Sequence, residues 1–570
     1  MRALGGGVLA AALLAGCPGQ FDPISPPGDP FEDVTPPPAV TPGPPVVVSH
    51  PRTPTTLRHL DGGFVATNEG HSWAALQAMA GAEPFPLASV IEVEGSLREW
   101  LLPADGSQTG DAAAGTWAGY VAEALAAERY VALRLTALTP EDLPAAWPTT
   151  EDPPGTLPDG RLSLLVYGDG PGDDDDAGDD DDSAGDDDDS AGGAPGDDDD
   201  TSVVRYVDWS DPDFFQLHGG VVQALADRFA DEPGIAFVTV GGVGLRGLWT
   251  LPDEVPPVGA GGVFTPGSWL SVVGLHTEVY RGAFPDIPVV AGLSVLDQAG
   301  DQQGGVDNTL SGDAIGLRDA CFGGCLGAVD WDRFPGEPGT PFGGDPYGGW
   351  WPGGRSTELV LGGGQGSLGG WRVAELAGTW DGTAWGTPAE HLDRALQIAA
   401  THAPARWVSL GDDACLSAQA QSATATDDCA PATGTWTALE RWTFADGERL
   451  AVGARVELRE VTVPDNWRAL DAVPVGLTIE NIGMVDGADR PWELRLRAGE
   501  QVLAATTAEP GAVAAGATWE GEASATWDAD VPDGPVVLEV RVPEERAFGG
   551  VMALTLPVGA DGWSLAATLE

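Results

Sequence analysis

Residues 203–249 read VVRYVDWSDPDFFQLHGGVVQALADRFADEPGIAFVTVGGVGLRGLW. The Asp211-Pro212 turn precedes an amphipathic helix, with Gly219–Phe229 as its core. The short apolar run Ile235–Val240 follows and reads as a buried strand. It leaves through Gly241, Gly242, Gly244 and Gly247 and ends on Trp249. This is one helix-to-strand unit of an α/β barrel, and the glycines mark the end where such barrels carry their functional loops.

The same alternation extends in both directions. Val90–Val93, Tyr130–Leu135, Val289–Leu293, Glu358–Leu361 and Trp407–Leu410 read as strands. Trp117–Arg129, Trp269–Phe284 and Ala389–Ala400 read as helices. Strands alternating with helices predict a parallel sheet with right-handed crossovers. Over residues 57–435 its economical form is a TIM-like (β/α)8 barrel. After Trp436 helical spacing ends. Arg455–Val461, Val475–Ile479, Trp492–Arg497 and Val536–Val542 alternate apolar and polar between Gly, Pro and Asp turns. Residues 436–570 therefore read as an immunoglobulin-like β-sandwich, making the chain α/β plus all-β.

The formal charge of −60 excludes a basic nucleic-acid face. Residues 1–17 read MRALGGGVLAAALLAGC. Arg2 precedes a short apolar run, Leu4–Leu14, which is too short to span a bilayer and reads as a signal peptide. Leu14-Ala15-Gly16-Cys17 resembles the bacterial lipobox, which implies cleavage before Cys17 and lipidation of its thiol. Each buried methylene adds about 0.8 kcal/mol, so several acyl chains hold a protein on a membrane. The expectation is an exported lipoprotein of the bacterial envelope, at the outer membrane or cell surface. Residues 18–56 are Pro-rich and read as a tether. Residues 168–201 carry the Asp tetrads Asp173–Asp176, Asp179–Asp182, Asp186–Asp189 and Asp197–Asp200. Such a run reads as a disordered, solvated spacer within the barrel domain, because like charges cannot join a core.

Without Cys17, four cysteines remain: Cys321, Cys325, Cys415 and Cys429. An even number in an exported chain suggests disulfides. Three pairings are open, and the local ones, Cys321 with Cys325 and Cys415 with Cys429, close the shortest loops. Neither pair has a His at zinc-ligand spacing, and no metal site is expected.

The order of elements resembles an uncharacterised bacterial family, a domain of unknown function. Its members join a glycoside-hydrolase-like barrel of the beta-galactosidase type to a C-terminal β-sandwich. The resemblance is carried by Asn68-Glu69-Gly70, by Leu97 to Pro103 (LREWLLP), by Asp208-Trp209-Ser210-Asp211-Pro212, and by Arg228 to Pro233 (RFADEP). Gly316-Leu317-Arg318-Asp319, Asn481-Ile482-Gly483 and Trp492-Glu493-Leu494 add to it. It implies a carbohydrate-type scaffold.

Glycoside hydrolysis needs two carboxylates across the scissile bond. In similar barrels one acid precedes the Trp that follows the fourth strand; Leu248 stands there. A second acid is expected in a Gly-Gly-Glu-like context, where this chain has Gly362-Gly363-Gly364-Gln365. Acid–base help alone is worth about 10²–10⁴-fold, so losing both roles is costly. Asp253, Glu254, Glu358 and Glu94 are the acids that could stand in, though each also reads as a cap or surface charge. Arg246 and Arg318 could clamp an acidic sugar or form structural ion pairs. Trp249, Trp350 and Trp351, in or beside Gly-rich loops, could stack on sugar rings or fill a core. Gln365 could hydrogen-bond a ligand.

No P-loop, HExxH or Gly-x-Ser-x-Gly motif is present, and no cofactor is expected. The expected partners are a glycan and, through the lipid, a membrane. The chain therefore reads as a carbohydrate-binding lipoprotein with a degenerate barrel. The alternatives are an active glycosidase using displaced acids and a structural envelope protein.

Overall fold

The computed structural model describes residues 40–52, 62–68, 71–80, 88–101, 111–137, 204–244, 264–292, 303–312, 315–319, 406–409, 450–527, 530–544 and 561–570. It also describes the short segments 156–157, 160–161, 164–167 and 360–361. Gly247, Trp249, Leu251, Val295, Ala299, Trp442, Arg546, Ala547, Leu554, Leu556 and Gly559 are described singly.

The first half of the chain contains β1 (Pro45–Ser49), β2 (Gly63–Thr67), α1 (Trp73–Ala80), β3 (Ala88–Ser96), α2 (Leu97–Leu101), α3 (Asp111–Ala126) and β4 (Tyr130–Thr136). Next come β5 (Thr156–Leu157), β6 (Gly160–Arg161), β7 (Leu164–Tyr167), β8 (Val204–Val207), α4 (Pro212–Phe229), β9 (Ile235–Val240), α5 (Pro266–Ala283), β10 (Val289–Gly292) and α6 (Gln303–Gly312). The strands β11 (Gly316–Asp319), β12 (Val360–Leu361) and β13 (Trp407–Ser409) complete this part. The C-terminal part holds β14 (Val456–Pro464), β15 (Ala472–Asn481), β16 (Trp492–Ala498), β17 (Gln501–Ala508), β18 (Thr518–Trp527), β19 (Val536–Arg541) and β20 (Ser564–Leu569).

Eight strands close into a ring in the order β2, β3, β4, β9, β10, β11, β12, β13 and back to β2. Every pairing in it is parallel. Each strand lies beside its predecessor in the ring, so each connection must cross back over the sheet, and α1 to α6 supply the described crossovers. The helix expected at Ala389–Ala400 lies outside the described residues.

Alternation along the strands sorts the ring into two layers. Phe64, Ile91, Val93, Leu133, Val238, Ala291 and Leu317 join the core shared with the helices. Val65, Val90, Tyr130, Ala132, Phe237, Val290 and Trp407 form a separate cluster. Their opposite parity on the same strands places them inside the ring. Strands with both faces covered read as continuous apolar runs, which is why Ile235–Val240 is wholly buried.

The C-terminal part carries the antiparallel strands expected of a sandwich. Its strands are hydrogen-bonded in one continuous sheet, ordered β1-β14-β15-β18-β17-β16-β19-β20, with antiparallel pairings throughout. One core draws on both ends of that order, including Leu458, Leu477, Leu494, Leu538 and Leu569. The β17–β18 seam pairs only Ala504 with Trp527 and Ala505 with Thr526, and there the sheet folds over its core. The tether expected through residue 56 is corrected. Pro45–Ser49 is an edge strand on β14, with Pro45 opposite Pro464 and Ser49 opposite Glu460. β7 and β8 pair antiparallel, with Tyr167 opposite Val204, and the Asp-rich segment between them lies outside the described residues.

The sheet joins the ring at the N-terminal end of β2. There Gly63 donates its N–H to the Arg406 carbonyl (3.0 Å), and Val452, Ala454, Met484 and Val485 enter the ring's outer core. Gly62 and Gly453 meet back to back: a Cβ on Gly453 would lie 2.6 Å from Gly62 Cα. Gly453 also has φ +79°. Among the described residues no helix is long and apolar enough to cross a membrane.

Gly453→Ala should cost more than Gly511→Ala in a urea titration. Both positions have positive φ, but a Cβ at Gly511 meets nothing within 4 Å. The backbone term alone is about 1–2 kcal/mol, and any excess at position 453 measures the close approach.

Candidate functional site

Above the apolar layer inside the ring, the next inward position on five of the strands is polar. Val65 gives way to Thr67, Val90 to Glu92, Ala132 to Arg134, Phe237 to Thr239, and Trp407 to Ser409. Arg318 occupies the same level on β11. Each of these polar residues is buried. They stand toward the C-terminal strand ends, the face on which barrels of parallel strands carry their sites.

Glu92 is the centre of this layer. Arg318 holds both of its carboxylate oxygens: Nη2 donates to Oε2 at 2.9 Å, and Nη1 donates to Oε1. Arg318 Nη1 also donates to Thr239 Oγ1 at 3.2 Å. On the other side Arg134 Nε lies 3.5 Å from Glu92 Oε2. Arg134 Nη2 in turn donates to Glu94 Oε2. The side chains of Glu92, Arg134 and Arg318 are fully sealed from solvent, while that of Glu94 keeps 18% exposure. Two carboxylates thus meet two guanidiniums, with three of the four groups sealed and Glu94 the accessible acid.

The exit of β2 is stitched to β3 at this level. Asn68 donates its N–H to the Glu92 carbonyl (3.0 Å), and its Oδ1 accepts from the Glu94 N–H (3.1 Å).

Among the candidates named from sequence, Glu94 and Arg318 come together here, linked through Glu92 and Arg134. Arg318 serves the ion-pair alternative, since its fork is occupied by Glu92. Trp249 is a correction. It is fully buried, donates its indole N–H to the Val240 carbonyl (2.8 Å) and packs edge-on against Trp269 with centroids 5.7 Å apart. Its φ of +68° turns the ring back among the helices, so neither face is open to a sugar. Leu248, Arg246, Asp253, Glu254, Trp350, Trp351, Glu358 and Gln365 lie outside the described residues. So do Cys17, Cys321, Cys325, Cys415 and Cys429.

Glu92, Arg134 and Thr239 escape the sequence reading. The signal for them is the alternation Val90-Glu92-Glu94, with acids at every second place in a strand otherwise apolar on both faces. The single Arg in Tyr130–Leu135 is its counterpart.

No protein-family model matches the chain, and no curated protein sequence matches it. Solved structures that it resembles include a GH30 endoxylanase from Clostridium papyrosolvens, with 9% identity, 83% of this chain and 98% of that one covered, and a TM-score of 0.33. An endo-glycoceramidase II from Rhodococcus sp. has 12% identity, 83% and 100% coverage, and a TM-score of 0.33. An endo-beta-1,4-glucanase B from Bacillus halodurans has 9% identity, 86% and 96% coverage, and a TM-score of 0.31. These neighbours are glycoside hydrolases.

Glu92→Gln should destabilise the protein by about 3–5 kcal/mol, because it leaves sealed guanidiniums without their counter-charge. Glu94→Gln, at the wetter end, should cost about 1 kcal/mol or less. Urea titrations measure both. In the same assay Glu92→Leu with Arg318→Met should lose less than the two single changes added together.

Proposed function

We propose that this chain is an exported, lipid-anchored envelope protein whose TIM-like (β/α)8 barrel binds carbohydrate at the C-terminal mouth of the ring and does not hydrolyse it. The observation that carries this reading is the state of Glu92. A carboxylate held on both oxygens by Arg318, approached by Arg134 and sealed from solvent has no route for passing a proton to a leaving group. The layer presents polarity to the mouth through Glu94, an oxygen acceptor suited to sugar hydroxyls, anchored from below by Arg134. Gln365, Arg246, Trp350 and Trp351 would complete the lip. The anchor would be the lipid on Cys17, with residues 18–44 as the span before β1.

The exposure of Glu94 favours a second reading, an active glycosidase in which this displaced acid does chemistry. The two readings separate in one experiment. Detergent-solubilised full-length protein is applied to a glycan array, titrated calorimetrically with any hit, and assayed with aryl glycosides. Binding without turnover supports a binding barrel, and Glu94→Gln should then weaken affinity about tenfold by removing a charged acceptor. Turnover abolished by Glu94→Gln supports the glycosidase. Absence of both overturns the carbohydrate reading and leaves a structural envelope protein. For the anchor, Cys17→Ala should abolish incorporation of labelled fatty acid and move the protein out of the membrane fraction. Unchanged labelling would refute lipidation at that thiol.

A further inference from the structure

Behind β9, between α4 and α5, lies a chain of polar groups with no connection to solvent. His218 and His276 face each other with Nδ1 to Nδ1 at 2.7 Å. His218 Nε2 is 3.3 Å from the Tyr280 hydroxyl, and the Gly241 N–H donates to that hydroxyl at 3.2 Å. His276 Nε2 is 3.4 Å from the Trp209 carbonyl. All three side chains are fully buried.

Hydrogen-bond chemistry fixes every proton in this chain. The Trp209 carbonyl can only accept, so His276 carries its proton on Nε2. Its Nδ1 is then an acceptor, and His218 must donate from Nδ1. That leaves His218 Nε2 as a lone pair for the Tyr280 O–H, and the Tyr280 oxygen accepts from Gly241. With both imidazoles neutral, each group has one partner and the direction is unique. One more proton has no place. On His276 Nδ1 it would oppose two N–H groups head-on. On His218 Nε2 it would turn the Tyr280 hydroxyl away from its acceptor.

We propose that His218, His276 and Tyr280 form a proton-ordered latch that fastens the exit loop of β9 to the helix layer and releases it in acid. The loop's described residues are Gly241–Gly244, Gly247 and Trp249. Tyr280 holds Gly241, His218 lies against Gly242, and the Trp249 ring is edge-on to His276 at 6.0 Å. Thr239, two residues before the loop, is bonded to Arg318 of the mouth. Release would therefore act at the rim of the barrel.

The surroundings suit a switch. Phe214 stacks on His218 and Phe215 meets His276 edge-on, both from α4. On α5 the charged Glu278 and Arg281 are exposed. In the 207–211 turn Asp208 accepts from the Ser210 hydroxyl and N–H, and Asp211 sits at the start of α4. Among the described residues the titratable groups in contact with the imidazoles are each other and Tyr280. Among the described residues none of those contacts is a carboxylate that would stabilise a cation. Burial accordingly holds His276 down at about 4, and burial, then His276, push His218 well below the ordinary imidazole range.

The sign follows. The closed loop binds fewer protons than the open one from pH 6.5, the ordinary histidine value, down to about 4. Closure is fully favoured above that window and is lost as pH falls through it. Opening coupled to uptake of one proton grows about tenfold per pH unit, and more steeply if both rings charge.

Hydrogen exchange of the full-length protein, corrected for intrinsic rates, tests this without any ligand. Peptides covering 241–249 should lose protection by about tenfold per unit between pH 6.5 and 4.5. Peptides from 472–481, in the C-terminal sheet, should not. His276→Gln keeps a donor for Trp209 and an acceptor for His218 but takes up no proton, so the acid step should vanish. Tyr280→Phe should raise exchange of the loop at neutral pH, because Gly241 loses its acceptor. Protection of 241–249 that is unchanged to pH 4.5 overturns the latch. So does an acid step shared equally by the C-terminal sheet, or one that survives in His276→Gln. If His276→Gln does not fold, the wild-type profile and Tyr280→Phe decide by the same criteria.

Discussion

A carboxylate enclosed by a ring of strands has to be matched there by positive charge. Moving an isolated ion out of water costs far more than a domain's whole margin of stability. Glu92 is that carboxylate, and it is matched from two sides. Arg134 comes from β4, the adjacent strand, and Arg318 from β11, on the opposite side of the ring. The match constrains more than charge. It works only when β3, β4 and β11 present inward positions at one height, so a one-residue slip of β3 is forbidden. Such a slip would put Ile91 and Val93 inside and Glu92 among the helices. Eight parallel strands of similar apolar composition have few other means of choosing a register.

The same period-two logic explains what the sequence reveals and what it conceals. Ile235–Val240 is legible as a strand because an unbroken apolar run between a turn and glycines has few other uses. The helix before it starts earlier than its core suggests, at Pro212, where a ring-locked φ and a missing N–H suit a first helical turn. The polar layer is harder to see. Attention goes to acids beside loop glycines, whereas the buried charges sit inside strands, one per strand, among residues that look like core. Trp249 misleads for a related reason. Its neighbours in sequence are mouth glycines, but its positive φ reverses the direction of its side chain. A sheet of eight strands hides one member for another reason: β1 comes from the N-terminus, some four hundred residues from β14, and a Pro-rich neighbourhood disguises it.

That strand changes how the two parts of the molecule are connected. The chain enters through the C-terminal sheet, crosses into β2, completes the ring and returns to the sheet. Asn466 fastens the start of β1, accepting from the Gly43 N–H at 2.6 Å and donating to the Thr41 carbonyl at 2.9 Å. Arg52 closes the other end on Glu480 at 2.6 Å. The sheet meets the ring at the end opposite the polar layer, through the Gly62–Gly453 approach.

β9 shows how one short strand serves two buried polar systems that solve the same problem in opposite ways. Thr239 points into the ring, toward Arg318 and the ion cluster. Gly241, two residues later and past the strand's end, offers its backbone N–H outward to Tyr280 and the imidazole chain. Inside the ring, charge is tolerated because it is balanced, two guanidiniums against two carboxylates. In the helix layer behind β9, two imidazoles share one hydrogen bond as neutral rings. An added proton would find a counter-ion in the first environment and, among the described residues, no carboxylate in contact in the second. The helix-layer network is joined to the mouth by the length of two residues, from Thr239 to Gly241.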